Sequence, residues 1–264
     1  MTGTDMTEAE ARLFERLMGL KSVRRLCPDT VKSVACTQLA RQKSFKEAEK
    51  AARARLHAMT GAYFDEIGIK KAEKCLSEYI AGDEGAVLRL LSLHASTRER
   101  GEYLSALTDE ILLFAGGGGI LDAACGLYPI YLGLRGAKSV TGLDMNGALT
   151  DIINAWNAAL DLSIRGLCAD VVLQPPEGEY SLALFMKLLP VLETERAGSA
   201  LKLLKGVNAR RICVTFPTKT LGGRGIGMEK NYDTWLTGLL TEEFQVIKRF
   251  TLGSELVYFI NKNI

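Results

Sequence analysis

Residues 117–146 read GGGILDAACGLYPIYLGLRGAKSVTGLDMN, and this stretch decides the fold. Its pattern is strand, glycine turn, helix, strand, acid. A first strand is predicted over 120–123, a turn at Ala124-Cys125-Gly126, a helix over 129–135 and a second strand over 139–143 that ends at Asp144. Asp144 follows Asp122 by 22 residues. At that spacing a carboxylate ending the second strand of a βαβ unit meets a ribose bound over the first. The stretch therefore predicts a ligand that contains adenosine.

The glycines narrow the choice. A nicotinamide dinucleotide asks for G-x-G-x-x-G after the first strand, where backbone must approach a pyrophosphate. Only Gly126 follows the strand here; the glycines at 116–119 precede it and read as a flexible entry. S-Adenosylmethionine has no pyrophosphate and needs fewer glycines. A third acid, Asp170 in LCADVV, stands 26 residues after Asp144 at the end of a predicted third strand. A carboxylate there can accept a hydrogen bond from an adenine amino group. Asp122, Asp144 and Asp170 at three successive strand ends fit a class I methyltransferase better than a dehydrogenase, although a βαβ unit by itself fixes no function.

The 264-residue chain is 47% hydrophobic and 24% charged, which suits a globular protein with a substantial core. No apolar run reaches the roughly 18–20 residues of a membrane helix, and the N-terminal stretch carries no apolar signal core. The expectation is a cytoplasmic protein without membrane contact. Cysteines at 27, 36, 75, 125, 168 and 213 form no C-x-x-C pair, so reduced thiols are expected rather than zinc or a disulfide framework. Net charge is only +2, yet residues 21–74 hold 13 Lys/Arg against 6 Asp/Glu. Such asymmetry is the footprint of a polyanion-binding surface.

Residues 1–106 are predicted helical, with helices over 8–20, 28–41, 45–59, 69–80, 87–94 and 97–107. Asp29-Thr30 and Ser44 are candidate N-terminal caps. Lys46, Lys50 and Arg53 share one helical face, opposite Ala48, Ala51, Ala52 and Leu56. Lys21, Arg24, Arg25, Arg41, Lys43, Lys70 and Lys71 add to the same basic region. From about 111 onward seven short apolar runs predict an α/β sheet whose last two strands join closely at Gly253-Ser254. The chain thus divides into a basic helical domain (1–106) and a Rossmann-like domain (107–264).

The acceptor is read from the strand ends. Methyl transfer needs a lone pair held in line with the methyl group, so positioning supplies most of the rate. The fourth predicted strand runs into FMKLLP (185–190), with Lys187 where enzymes acting on exocyclic amines place a D/N-P-P-Y/F loop. No Pro-Cys loop for attack on a pyrimidine carbon is present. What remains is a ring nitrogen such as guanine N7, which needs no general base. The loop FPTKTLGGRGIGM (216–228) follows the fifth strand. Its Lys219 and Arg224 suit phosphate or guanine O6 contacts, and Met228 can pack on a base. SLHASTRER (92–100) can fold over the methionine end of the cofactor, with an arginine on its carboxylate. His57 and His94 read first as buried structural histidines.

LCPDT (26–30), RARLHAMTGAY (53–63), SLHASTRER, LDAACGLYP (121–129), FMKLLPVLE (185–193) and FPTKTLGGRGIGM together resemble a known family. These are the aminoglycoside-resistance 16S ribosomal RNA methyltransferases that modify N7 of guanine 1405 in the decoding site. The resemblance implies an α/β, class I Rossmann-like, S-adenosylmethionine-dependent methyltransferase with an N-terminal all-helical domain. Its substrate would be 16S rRNA in the assembled 30S subunit, its product S-adenosylhomocysteine, and its consequence resistance to 4,6-disubstituted deoxystreptamines. Arg100 should pair with the cofactor carboxylate, Asp144 with the ribose and Asp170 with the adenine. His94, Asp122, Ala124, Gly126, Met145, Val171 and Lys187 should complete the cofactor pocket. Lys187, Lys219, Arg224 and Met228 should position a flipped guanosine. Lys21, Lys46, Lys50, Arg53, Lys70 and Lys71 should meet rRNA phosphates. A monomer without metal or DNA is expected. Two alternatives stay open: N1 methylation of adenine 1408, and a non-catalytic ribosome-binding protein that keeps the cofactor fold.

Overall fold

Thr7 starts the first helix, α1 (Glu8–Met18), with a capping box: its amide and hydroxyl reach the Glu10 carboxylate at 2.8 and 2.9 Å. The structure, a computed structural model, describes residues 6–60, 66–174, 177–218 and 227–263. Pro28 opens α2 (Pro28–Arg41), where its fixed φ and missing N–H suit a first turn. Ser44 caps α3 (Phe45–Thr60) by accepting from the Glu47 amide at 3.3 Å. Asp29 and Thr30 do not cap α2, whose start carries no side-chain cap. Their side chains bond Gln174 and Asp170 instead. The apolar faces of the three helices meet in a small core built on Leu13, Leu17, Val31, Ala35, Ala48 and Leu56.

The next helices are α4 (Glu66–Ile80), α5 (Ala86–Ser92), α6 (Ala95–Arg98) and α7 (Leu104–Ala115). The single helix expected over 97–107 is two, separated by a turn in which the Gly101 amide bonds Arg98 and the Tyr103 amide bonds Arg100. The break lets Arg100 point inward. Apolar residues of α4, α5 and α7 join the core on one face of the sheet. The apolar core of α1–α3 is thus distinct from the one that α4, α5 and α7 share with the sheet, and the expected boundary at 106/107 falls inside α7.

All seven expected strands form one sheet. They alternate with helices as β1 (Ile120–Ala123), α8 (Tyr128–Leu134), β2 (Val140–Asp144), α9 (Gly147–Leu160), β3 (Ile164–Cys168), β4 (Tyr180–Met186), α10 (Leu189–Glu195), α11 (Ser199–Gly206), β5 (Ala209–Pro217), α12 (Met228–Leu239), β6 (Phe244–Leu252) and β7 (Glu255–Lys262). The order is β3-β2-β1-β4-β5-β7-β6; β7 runs antiparallel to both its neighbours, while the other pairings are parallel. Helices α10 and α11 cover the second face. Strand order reverses between β1 and β4, and ligands of such sheets bind outside the carboxyl ends of the strands at that point.

Candidate cofactor and base site

The turn after β1 is shaped by Asp144. The Gly126 amide donates to Asp144 Oδ2 at 3.0 Å and the Asn146 amide to Oδ1 at 2.9 Å. The carboxylate is thereby fixed across the ends of β1 and β2, and each oxygen keeps acceptor capacity for a ribose hydroxyl. Burial raises its pKa above the usual range, against the opposing pull of the two amides. Ala124 and Gly126 both lie at φ +56°, and a Cβ on Gly126 would stand 2.7 Å from the His94 ring. Glycine is required there because the imidazole packs on the turn. His94 is buried, with Nδ1 2.8 Å from the Ser96 hydroxyl. Burial, then the charges of Arg100 and Arg98, lowers its pKa to about 4, so the ring is neutral at pH 7. His57, expected to be buried, is exposed on α3: it faces away from the small helical core.

Asp122 lies in β1, and its Oδ2 is a buried atom with no hydrogen-bond partner among the described residues. Burial raises this carboxyl well above its usual pKa; the Arg100 charge opposes that rise. A buried, unsatisfied acceptor normally costs stability, which marks the place as one suited to a cationic donor such as the ammonium of a methionine moiety.

Arg100 is buried in a bidentate pair with Glu255, Nε to Oε1 at 2.7 Å and Nη2 to Oε2 at 3.3 Å. Glu255 opens β7 opposite Pro217 of β5. Burial pushes the Glu255 carboxyl up, but Arg100 and Lys187 outweigh it and hold the pKa below the ordinary value. Lys187 follows β4 at φ +57°, anchored through its amide to the Thr215 carbonyl at 3.0 Å. Its Nζ lies 2.8 Å from Glu99 and 3.2 Å from Glu255. The arginine expected at the cofactor carboxylate and the lysine expected at the base thus share one carboxylate. Sequence reasoning missed Glu255; an acid opening the apolar run ELVYFINK was its only signal.

Asp170 lies just past β3. Its Oδ1 accepts from the Val172 amide at 3.0 Å and its Oδ2 from the Thr30 hydroxyl at 2.9 Å. Val171 is buried beside it, and the Met145 carbonyl accepts from the Cys27 amide at 2.7 Å. The strand ends therefore gather Asp122, Asp144, Asp170 and their loops at one edge of the sheet. Met228 begins α12 and is half-buried. Lys219 and Arg224 lie outside the described residues. Lys21, Lys46, Lys50, Lys70 and Lys71 are exposed, as is Arg53, which pairs with Glu49 at 2.6 Å. Opposite them on α3, Ala48, Ala52 and Leu56 are buried while Ala51 is half-exposed. Among the described residues no cluster suits a metal ion, and no helix is long and apolar enough to cross a membrane.

Known proteins match most of the chain. The family described as ribosomal RNA methyltransferase (FmrO) matches residues 21–259. The 16S rRNA (guanine(1405)-N(7))-methyltransferase of Serratia marcescens is 44% identical over 247 residues, covering 94% of this chain and 96% of that protein. A protein of the same name from Micromonospora echinospora is 32% identical, covering 90% of this chain and 91% of its own. The crystal structure of the 16S rRNA methyltransferase RmtF in complex with S-adenosyl-L-homocysteine matches with a TM-score of 0.90 at 40% identity, over 98% of this chain and 100% of that one. With that coverage of both the helical unit and the sheet, the chain belongs to the FmrO family of ribosomal RNA methyltransferases.

Proposed function

We infer that this chain transfers the methyl group of S-adenosylmethionine to N7 of guanine 1405 of 16S rRNA and releases S-adenosylhomocysteine. The observation that carries this is the Asp144 carboxylate clasped by the Gly126 and Asn146 amides, in a chain 44% identical to an enzyme of that name. The cofactor supplies an electrophilic methyl on a sulfonium. Asp144 holds the ribose, and Asp170 holds the adenine amino group. Met145 and Val171 wall the adenosine; Ala124 and Gly126 give the methionine part close backbone approach, with neutral His94 behind them. Asp122 takes the ammonium. Arg100 takes the carboxylate through Nη1, whose donors lie outside its pair with Glu255.

The guanine N7 lone pair is free at neutral pH, so the residues need only present it. Lys187, Lys219, Arg224 and Met228 hold the extruded base, and flipping it costs a few kcal/mol of unstacking. Lys21, Lys46, Lys50, Arg53, Lys70 and Lys71 dock the protein on phosphates of the assembled 30S subunit, where it acts as a cytoplasmic monomer. The added methyl and charge oppose binding of 4,6-disubstituted deoxystreptamines. Incubation of 30S subunits with protein and cofactor, then borohydride–aniline cleavage and primer extension, tests this. A new stop at guanine 1405 is expected. A stop at adenine 1408 without cleavage would give N1 methylation instead, and no modification would leave a binding protein.

A further inference from the structure

We propose that Thr30 is a positioning residue for the cofactor's adenine: its hydroxyl orients the Asp170 carboxylate, so the α1–α3 unit forms part of the cofactor site. This rests on the assignment of Asp170 to the adenine amino group made above. The two carboxylate oxygens have different partners. Oδ1 accepts from the Val172 amide in its own loop, a local turn contact. Oδ2 accepts from Thr30, 140 residues away and buried. The last torsion of an aspartate is broad, so one local bond leaves the plane of the carboxylate loosely set. A second bond from the opposite side fixes it, and each oxygen keeps a lone pair for the adenine.

The seam around Thr30 is built to hold this geometry. The Cys27 amide donates to the Met145 carbonyl and the Gly147 amide to the Arg25 carbonyl, both at 2.7 Å. Leu26 and Asn146 form an antiparallel bridge between them. A Cβ on residue 147 would stand 2.8 Å from the Arg25 carbonyl, so glycine lets the two backbones close. Gln174 donates to Asp29, and Arg25 reaches Asp151 at 3.5 Å. Helix α2 thus begins at the ends of β2 and β3. Its third residue serves the cofactor loop rather than its own first turn, which has no side-chain cap.

The experiment is calorimetric titration of S-adenosylhomocysteine into the full chain and its Thr30→Val, Thr30→Ser, Asp170→Asn and Thr30→Val/Asp170→Asn variants, with melting temperatures alongside. Thr30→Val should weaken binding about tenfold, the scale of one charge-assisted hydrogen bond. Thr30→Ser, which restores the donor, should recover most of that loss. In the Asp170→Asn background Thr30→Val should add nothing, because a residue acting through another is non-additive with it. Binding of Thr30→Val at the native level beside a weakened Asp170→Asn would overturn the proposal, as would losses that simply multiply. Native binding by Asp170→Asn would instead overturn the adenine assignment, and the role of Thr30 with it. Should Thr30→Val not fold, Thr30→Ala takes its place in the same cycle.

Discussion

The strand ends of the sheet and the α1–α3 unit differ in how they treat charge. At the strand ends, charged groups are buried or half-buried and committed: Asp144 to two amides, Arg100 to Glu255, Lys187 to two carboxylates. On the α1–α3 unit the core is small and apolar, and Lys21, Lys46 and Lys50 are exposed without an ion pair among the described residues. Buried, paired charge gives fixed geometry at a desolvation cost. Exposed, unpaired charge gives reach and is screened by salt. The proposed function assigns in-line methyl transfer to the first region and docking on a phosphate surface to the second.

Breaking the buried pair should have the largest effect. Glu255→Ala leaves Arg100 charged and buried, and denaturant unfolding should show a loss of about 3–5 kcal/mol. Glu255→Gln should lose less, since one acceptor remains. Next comes Asp144→Ala, which strands two turn amides and removes the acceptor proposed for the ribose. S-Adenosylhomocysteine affinity should fall about 100-fold by calorimetry, the sum of two or three lost hydrogen bonds. Native-level affinity there would mean that the nucleoside lies elsewhere.

A third prediction concerns pH. The His94 pKa is lowered to about 4 in the folded protein, from 6.5. Between those values the unfolded chain binds a proton that the folded chain does not, so stability rises with pH across the window and is fully present above it. The melting temperature should fall as pH drops from about 6.5 to about 4, with a slope of at most about 1.4 kcal/mol per pH unit from this group. His94→Asn should flatten that limb, and an unaltered limb would place the acid sensitivity on other groups. The smallest effects are expected at the exposed unit. Lys46→Ala and Lys50→Ala should each lower the salt slope of 30S binding by about one unit. Arg53→Ala should lower it less, because Glu49 already neutralises Arg53. Equal slopes for all three variants and the native protein would mean that a different face meets the RNA.

Much of the sheet was legible because its signals are local. The strand predicted at 120–123 matches β1, and the glycine turn and the acid at 144 fall where the spacing put them. Pro28 marked the start of α2, and Ser44 the cap of α3. The failures share a different character. Asp29 and Thr30 read as caps but bond Gln174 and Asp170, across a gap of about 140 residues. The helix expected through Arg100 is broken there, and the side chain turns in to an acid 155 residues later. The change from helical periodicity to short apolar runs placed a domain boundary at 106, whereas apolar residues of α4, α5 and α7 pack with the sheet.

The amino-acid sequence alone determined the βαβ unit, the three strand-end acids and the basic bias of residues 21–74. Each is a pattern of composition or spacing, read within one or two elements. Only the tertiary structure decided that Arg100 and Lys187 share Glu255, that His94 closes on Gly126, and that Thr30 reaches Asp170. Those partners meet because sheet register and helix packing bring distant segments to one edge. A hydroxyl, a carboxylate or a guanidinium shows its partner only after the backbone has set where it points.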